Sequence, residues 1–194
     1  MSNGTILVTG GCGFIGTHTI VQLIQASYDV VVVDNNVNST PKSLDRVREI
    51  LTDEGTTLTP TSLINHKVDM CDLEALTAIF ETYGKGFFSS CIHFAGLKAV
   101  GESISLPLLY YQNNLICTMN LLSLMDTYEC RSLVFSSSAT VYGAATTMPI
   151  TEATPTGEGI TNAYGRTKYM IEGILGDFGK SKEGTAPWSI TILR

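Results

Sequence analysis

The sequence predicts an α/β protein in which helices cover both faces of a parallel, doubly wound sheet. Three observations carry this reading. Strand-like apolar runs alternate with amphipathic helical stretches along the whole chain. Residues 30–33 are four consecutive valines, the pattern of a strand buried on both faces. A glycine corner between residues 9 and 16 joins the first strand to the first helix. The 194 residues suffice for one sizeable domain, and a composition 44% hydrophobic and 15% charged suits such a sheet.

The elements follow in order. Residues 5–8 form a short apolar strand. Residues 14–25 then read as a helix through Ile15, Ile20, Leu23 and Ile24. The valine strand comes next, followed by an amphipathic helix over 44–51. There Leu44, Val47, Ile50 and Leu51 face inward, with Arg46, Arg48 and Glu49 outward. A third strand is expected near 63–68 and a helix over 73–83, with Asp72 as its N-cap. Residues 91–94 make a fourth strand, 106–128 a long helix and 133–135 a fifth strand. A loop rich in Thr, Gly and Pro spans 143–162, before a helix over 163–178 and a sixth strand over 189–193. Strands separated by helices imply right-handed crossovers and hence a parallel sheet.

Charge and cysteine content narrow the function. The net charge is −6 and the 12 Lys and Arg are scattered, which argues against nucleic acid and anionic membrane surfaces as partners. Five cysteines without a CxxC pair read as reduced, mostly buried thiols. His18, His66 and His93 do not cluster with other ligands at metal-binding spacing, so no metal site is expected. The first residues carry no basic stretch, and Ile6 to Val8 is too short for a signal or membrane segment. A cytoplasmic protein is expected.

Gly10, Gly13 and Gly16 form G-x-x-G-x-x-G, and Gly11, Gly13 and Gly16 also fit G-x-G-x-x-G. Glycine is needed because the turn is tight and its backbone must approach a pyrophosphate, which the N–H groups of the helix start then receive. Glycines alone are weak evidence in a chain with 18 of them. The context is stronger: a strand precedes the corner, a helix follows, and Asp34 ends the next strand, placed to bond adenosine ribose hydroxyls. Asn35 and Asn36 follow it, and no Arg occurs before Arg46, so a 2′-phosphate would meet repulsion. The expected cofactor is NAD, held by a Rossmann-type domain.

Tyr164 and Lys168 are four residues apart at the start of a helix and share a face. An ammonium beside a phenol favours the phenolate and makes it a usable base. Ser136, Ser137 and Ser138 follow the fifth strand at the sheet's carboxyl end, where such folds bind ligands. Ser138 is the candidate to share a hydrogen bond between a substrate hydroxyl and Tyr164.

The glycine corner, the segment HFAGLKAVGES from His93, the segment FSSSATVYG from Phe135 and YGRTK from Tyr164 together resemble the UDP-glucose 4-epimerases of the extended short-chain dehydrogenase/reductase family. The resemblance runs from Ile6 to Arg194. It implies pyrophosphate contacts from the backbone of Phe14 and Ile15, and adenosine-ribose contacts from Asp34, Asn35, Asn38 and Ser39. Asp69 and Met70 would flank the adenine. Phe94, Ala95, Gly96 and Lys98 would run beneath the cofactor, and Asn113 would reach it from the long helix. Ser138, Tyr164 and Lys168 would be catalytic, and Lys98, Ser138 and Tyr164 would meet the sugar nucleotide.

The activity so implied belongs to galactose metabolism. Tyr164 takes the 4′-hydroxyl proton of UDP-galactose or UDP-glucose while a hydride passes to NAD; the 4-keto sugar turns over and receives the hydride on its other face. The resemblance also implies a homodimer in the full-length form, through the helices over 106–128 and 163–178. Two rivals remain. A 4,6-dehydratase of the same superfamily needs a carboxylate pair after its active-site hydroxyl, where this chain has Ala139 and Thr140. A non-catalytic NAD-binding fragment is the other: the sixth strand meets Arg194 directly, as expected of residues 1–194 of a longer protein whose C-terminal substrate domain is missing. Alone, the chain is expected to epimerise poorly or not at all.

Overall fold

The computed structural model describes residues 2–145, 148–184 and 186–194; Thr146 and Thr147 of the expected 143–162 loop lie outside the described residues, as do Met1 and Thr185. Among the described residues there are six strands: β1 (Thr5–Thr9), β2 (Asp29–Asp34), β3 (Leu63–Lys67), β4 (Phe88–His93), β5 (Ser132–Ser136) and β6 (Ser189–Leu193). Six α-helices join them: α1 (Phe14–Gln25), α2 (Lys42–Asp53), α3 (Leu73–Tyr83), α4 (Val100–Ser105), α5 (Pro107–Thr127) and α6 (Ala163–Ser181). All strand pairs are parallel, and the sheet runs β3-β2-β1-β4-β5-β6. This is the Rossmann-type doubly wound order. The winding reverses between β1 and β4, so the loops leaving these two strands diverge and open a crevice at their carboxyl ends.

Alternation within the buried strands feeds two separate cores. Ile6, Val8, Val30 and Val32 pack with Ile20 and Ile24 of α1 and Leu44, Val47 and Leu51 of α2. Leu7, Val31 and Val33 point the other way, toward Leu76 and Phe80 of α3, Leu121 and Met125 of α5, and Ile171 and Leu175 of α6. Period-two alternation with both faces apolar is what four consecutive valines require. Each fully buried aliphatic side chain contributes about 1.5–3 kcal/mol.

The structure departs from the sequence reading in three places. β4 begins at Phe88, ahead of the expected residue 91. Ser89 and Ser90 disguise its start, because their hydroxyls donate to the Thr5 and Ser132 carbonyls of the flanking strands. The expected long helix is present as α5, but a short helix not expected, α4, precedes it, separated by Leu106, whose φ of −126° and ψ of 54° are non-helical. A residue before proline is pushed out of the α region, and Pro107 then serves as the first residue of α5, where its missing N–H costs nothing. A 3-10 helix at Ala139–Tyr142 was not foreseen. Asp72 caps α3 as expected, accepting from the Ala75 N–H at 3.0 Å. Among the described residues no helix is long and apolar enough to cross a membrane.

Candidate active site

A cleft of about 340 Å³ opens at the β1/β4 reversal, within the roughly 300–1,000 Å³ range of ligand sites. Every expected site residue except Ser39 lines it. Gly10, Gly13, Phe14, Ile15 and Gly16 form one end; Asp34, Asn35 and Asn38 follow β2; Asp69 and Met70 follow β3. Phe94, Ala95, Gly96 and Lys98 follow β4, Asn113 enters from α5, and Ser138, Tyr164 and Lys168 form the far end. Ser39 stands behind the wall, its hydroxyl donating to Asp34 Oδ1 at 2.9 Å.

The glycine corner admits no side chain. Gly10 has φ +69°, and a Cβ there would lie 2.7 Å from the Ala95 nitrogen. A Cβ on Gly16 would lie 2.7 Å from the Gly10 oxygen, so α1 starts against the turn itself. No side chain caps α1 and its first turn holds no acid. Its leading N–H groups and the positive end of its dipole therefore face the cleft as an anion seat. Asp34, 7% exposed, lies at the end of β2. Its Oδ2 accepts from Cys12 N–H at 3.0 Å and its Oδ1 from Asn36 N–H and Ser39. A carboxylate offers about four acceptor positions, so one remains for a ribose hydroxyl. The Cys12 thiol beside it is pushed up to about 11 by burial and by that carboxylate. Such a corner, free helix start and acid fit a dinucleotide.

The floor between β4 and α5 is held by a buried polar chain that sequence reasoning did not identify. Thr118 Oγ1 donates to the Asn114 carbonyl, so it accepts from His93 Nε2 at 3.0 Å. Its single hydroxyl hydrogen thereby fixes the histidine tautomer. His93 Nδ1 then accepts from Thr9 Oγ1 at 2.6 Å, and Thr9 in turn accepts from Ala95 N–H at 3.3 Å. Burial, with Lys168 nearby, lowers His93 to about 3 and keeps it neutral. The Asn114 amide, 2% exposed, clamps Leu97 through both its N–H and its carbonyl and donates to Thr167 on α6. The only advance signal was a run of polar residues interrupting apolar strands and helices.

At the far end Asn162 caps α6, accepting from Gly165 N–H at 2.7 Å, which sets Tyr164 in the first turn. One turn on, the Lys168 amine donates to the Ser136 carbonyl at 2.8 Å. It lies 4.7 Å from the Phe135 ring centre and 5.9 Å from that of Tyr164. Burial depresses this amine to about 8. Ser137 also lines the cleft, but its hydroxyl donates to Glu172, which Arg194 grips with two nitrogens. Ser136 and Ser138 line the same cleft as Tyr164 and Lys168. The arrangement sets a hydroxyl donor, a phenol and an ammonium beside a dinucleotide-shaped groove.

Comparison with known proteins fits this geometry. Residues 7–193 match the family described as GDP-mannose 4,6 dehydratase. The chain is 48% identical over 190 residues to UDP-glucose 4-epimerase 2 of Arabidopsis thaliana, covering 98% of this chain and 51% of that protein. It is 49% identical over 189 residues to UDP-glucose 4-epimerase of Dictyostelium discoideum, covering 97% and 50%. The crystal structure of UDP-glucose 4-epimerase from Bifidobacterium longum in complex with NAD+ and UDP superposes with a TM-score of 0.87 at 44% identity, covering 98% of this chain and 52% of that one. The chain thus spans about half the length of the relatives it matches. It belongs to the GDP-mannose 4,6 dehydratase family, and within that family its similarity runs to the UDP-glucose 4-epimerases.

Proposed function

We propose that the cleft binds NAD and carries the catalytic group of a UDP-glucose 4-epimerase, acting in galactose metabolism. The observation that carries this is the buried Lys168 amine one helical turn from Tyr164, both lining the groove that begins at the glycine corner. Gly10 to Gly16 and the start of α1 seat the pyrophosphate, with Asp34, Asn35 and Asn38 on the adenosine ribose. Asp69 and Met70 flank the adenine. When bound, NAD supplies an acceptor for the sugar C4 hydride and a donor that returns it to the opposite face. Tyr164 takes the 4′-hydroxyl proton and gives it back. Ser138 donates to the same sugar oxygen, and Lys98 meets the sugar nucleotide from the β4 loop. At neutral pH an amine titrating near 8 is roughly nine-tenths ammonium, enough to stabilise the phenolate and hold the nicotinamide ribose.

Calorimetric titration with NAD, followed by an assay with UDP-galactose, tests the reading. Saturable NAD binding is expected, with epimerisation far slower than by a full-length relative, since half of each relative has no counterpart here. Absence of NAD binding overturns the site assignment. Turnover equal to the relative's overturns the dependence on the other half.

The same reading makes the full-length protein a homodimer. Ile104 on α4, Leu108, Ile116 and Met119 on α5, and Met170 on α6 are exposed apolar side chains, which supports pairing through these helices. Light scattering at micromolar concentration checks this, and a strictly monomeric full-length protein refutes it. Five free thiols suit the reducing cytoplasm, where we place the protein.

A further inference from the structure

We infer that Thr140 is a positioning residue that commits Ser138 to donating, never accepting, a hydrogen bond in the cleft. Ser138 precedes the 3-10 helix Ala139–Tyr142 and caps it with φ −158° and ψ 145°. Its Oγ accepts twice from one residue: the Thr140 N–H at 3.2 Å and the Thr140 Oγ1 hydroxyl at 2.9 Å. A serine hydroxyl has two acceptor positions and one hydrogen. Thr140 fills both positions. The hydrogen is what remains, and Ser138 lines the same cleft as Tyr164. Two bonds on one oxygen also fix its rotamer, and accepting them strengthens the oxygen as a donor.

The packing shows why the arrangement is possible. Gly165 follows Tyr164 directly, and a Cβ there would lie 3.0 Å from Thr140 Oγ1 and 3.1 Å from Thr140 Cβ. The missing side chain lets the 3-10 helix lie against the first turn of α6, so the residue orienting Ser138 rests on the backbone that carries Tyr164. Thr140 itself does not line the cleft. Its effect runs through Ser138: a serine able only to donate favours an oxygen gaining negative charge, as the sugar oxygen does when its proton leaves. A serine free to accept would equally satisfy the intact sugar hydroxyl and lose that discrimination.

The catalytic part of this inference rests on the proposed epimerase function; the orientation of Ser138 does not. The test compares wild type with Thr140→Val, Thr140→Ala and Thr140→Ser, all in this chain. Crystal structures read the Ser138 rotamer, calorimetry reads NAD affinity, and the UDP-galactose assay reads residual turnover. Wild type and Thr140→Ser are expected to hold Ser138 in one rotamer. Thr140→Val and Thr140→Ala are expected to spread it over two or more. NAD affinity stays within about twofold in all four, because Thr140 is outside the cleft. Turnover falls on the order of ten- to a hundredfold in the Val and Ala variants with KM unchanged, and Thr140→Ser restores it. Two folded outcomes overturn the inference: Ser138 undisturbed in both Val and Ala variants, or Thr140→Ser failing to restore what they lose. Absence of NAD binding in wild type overturns the epimerase reading, while the rotamers still decide the role of Thr140.

Discussion

Replacing Lys168 by methionine isolates what burying an amine at the end of the cleft costs. Lys168 is 5% exposed, and burial takes its amine from the ordinary 10.5 to about 8. That gap corresponds to about 3 kcal/mol between the charged and neutral forms. Below about pH 8 both folded and unfolded chains hold the proton, and the folded state bears the full cost of the buried charge. Between about 8 and 10.5 the unfolded chain keeps the proton while the folded one releases it, so stability attributable to this group rises with pH. Methionine has no proton to release and also loses the bond to the Ser136 carbonyl, a pH-independent offset of about 1 kcal/mol. The stability difference between wild type and Lys168→Met should therefore be flat from pH 6 to 8, then move about 3 kcal/mol in favour of wild type by about pH 10.5. Urea unfolding of both proteins across that range measures it. Buried thiols such as Cys130 and Cys117, pushed up to about 11 and 12, destabilise both proteins alike as pH rises and largely cancel in the difference. A difference that stays flat throughout refutes the reasoning, since it would mean the amine is solvated and carries no strain into the site.

Four shorter expectations follow from the same geometry. His93, held neutral near 3, contributes stability that is lost as pH falls from 6.5 toward 3, about 5 kcal/mol in all; His93→Gln should move the acid-unfolding midpoint to lower pH, and an unmoved midpoint counts against its neutrality. Gly10→Ala forces a Cβ into the Ala95 backbone at positive φ and should cut NAD affinity at least about tenfold by calorimetry; wild-type affinity would refute the close approach. In the full-length protein Tyr164→Phe should abolish epimerisation and leave NAD affinity intact, whereas a normal rate removes Tyr164 from the base role. Incubation with UDP-glucose and NAD should yield no 4-keto-6-deoxy sugar by chromatography; its formation would reveal an acid–base pair outside the residues identified.

Much of this was legible in the sequence, for identifiable reasons. Helix α1 matches its expected bounds because glycines stop it on one side and helical periodicity runs unbroken to Gln25. The valine strand and the Asp72 cap were equally plain. Local rules failed where a tertiary partner decides the outcome. Ser89 and Ser90 read as a break because their hydroxyls find carbonyls only once β1 and β5 flank them. In the site, groups proposed to meet a ligand stood out by type and spacing, as Tyr164 and Lys168 did. Groups that hold those groups did not: Asn114, Thr118 and His93 lie on two elements and become a network only when α5 docks on the sheet. Ser39, implied by the resemblance as a ribose contact, donates its hydroxyl to the Asp34 carboxylate and does not line the cleft.

The family takes its description from a dehydratase, and the residues after Ser138 support the proposed epimerase reading. Both chemistries begin with the same exchange, in which a proton goes to a phenolate and a hydride leaves C4. Dehydration then asks for a second base at C5 and an acid at the departing 6-hydroxyl, both within reach of the ring. Ala139 offers no proton. Thr140 has one, and it is given to Ser138. Glu172, a buried carboxylate on α6, takes a hydrogen bond from Ser137 and three from two nitrogens of Arg194, and lies outside the cleft lining. With Ala139 and Thr140 in these positions, the residues after Ser138 supply no acid–base pair for expelling a hydroxyl, which supports the proposed epimerisation over dehydration. Where dehydratases place carboxylates at the two positions after the hydroxyl residue, this chain uses one to orient Ser138, in keeping with the proposed chemistry at C4.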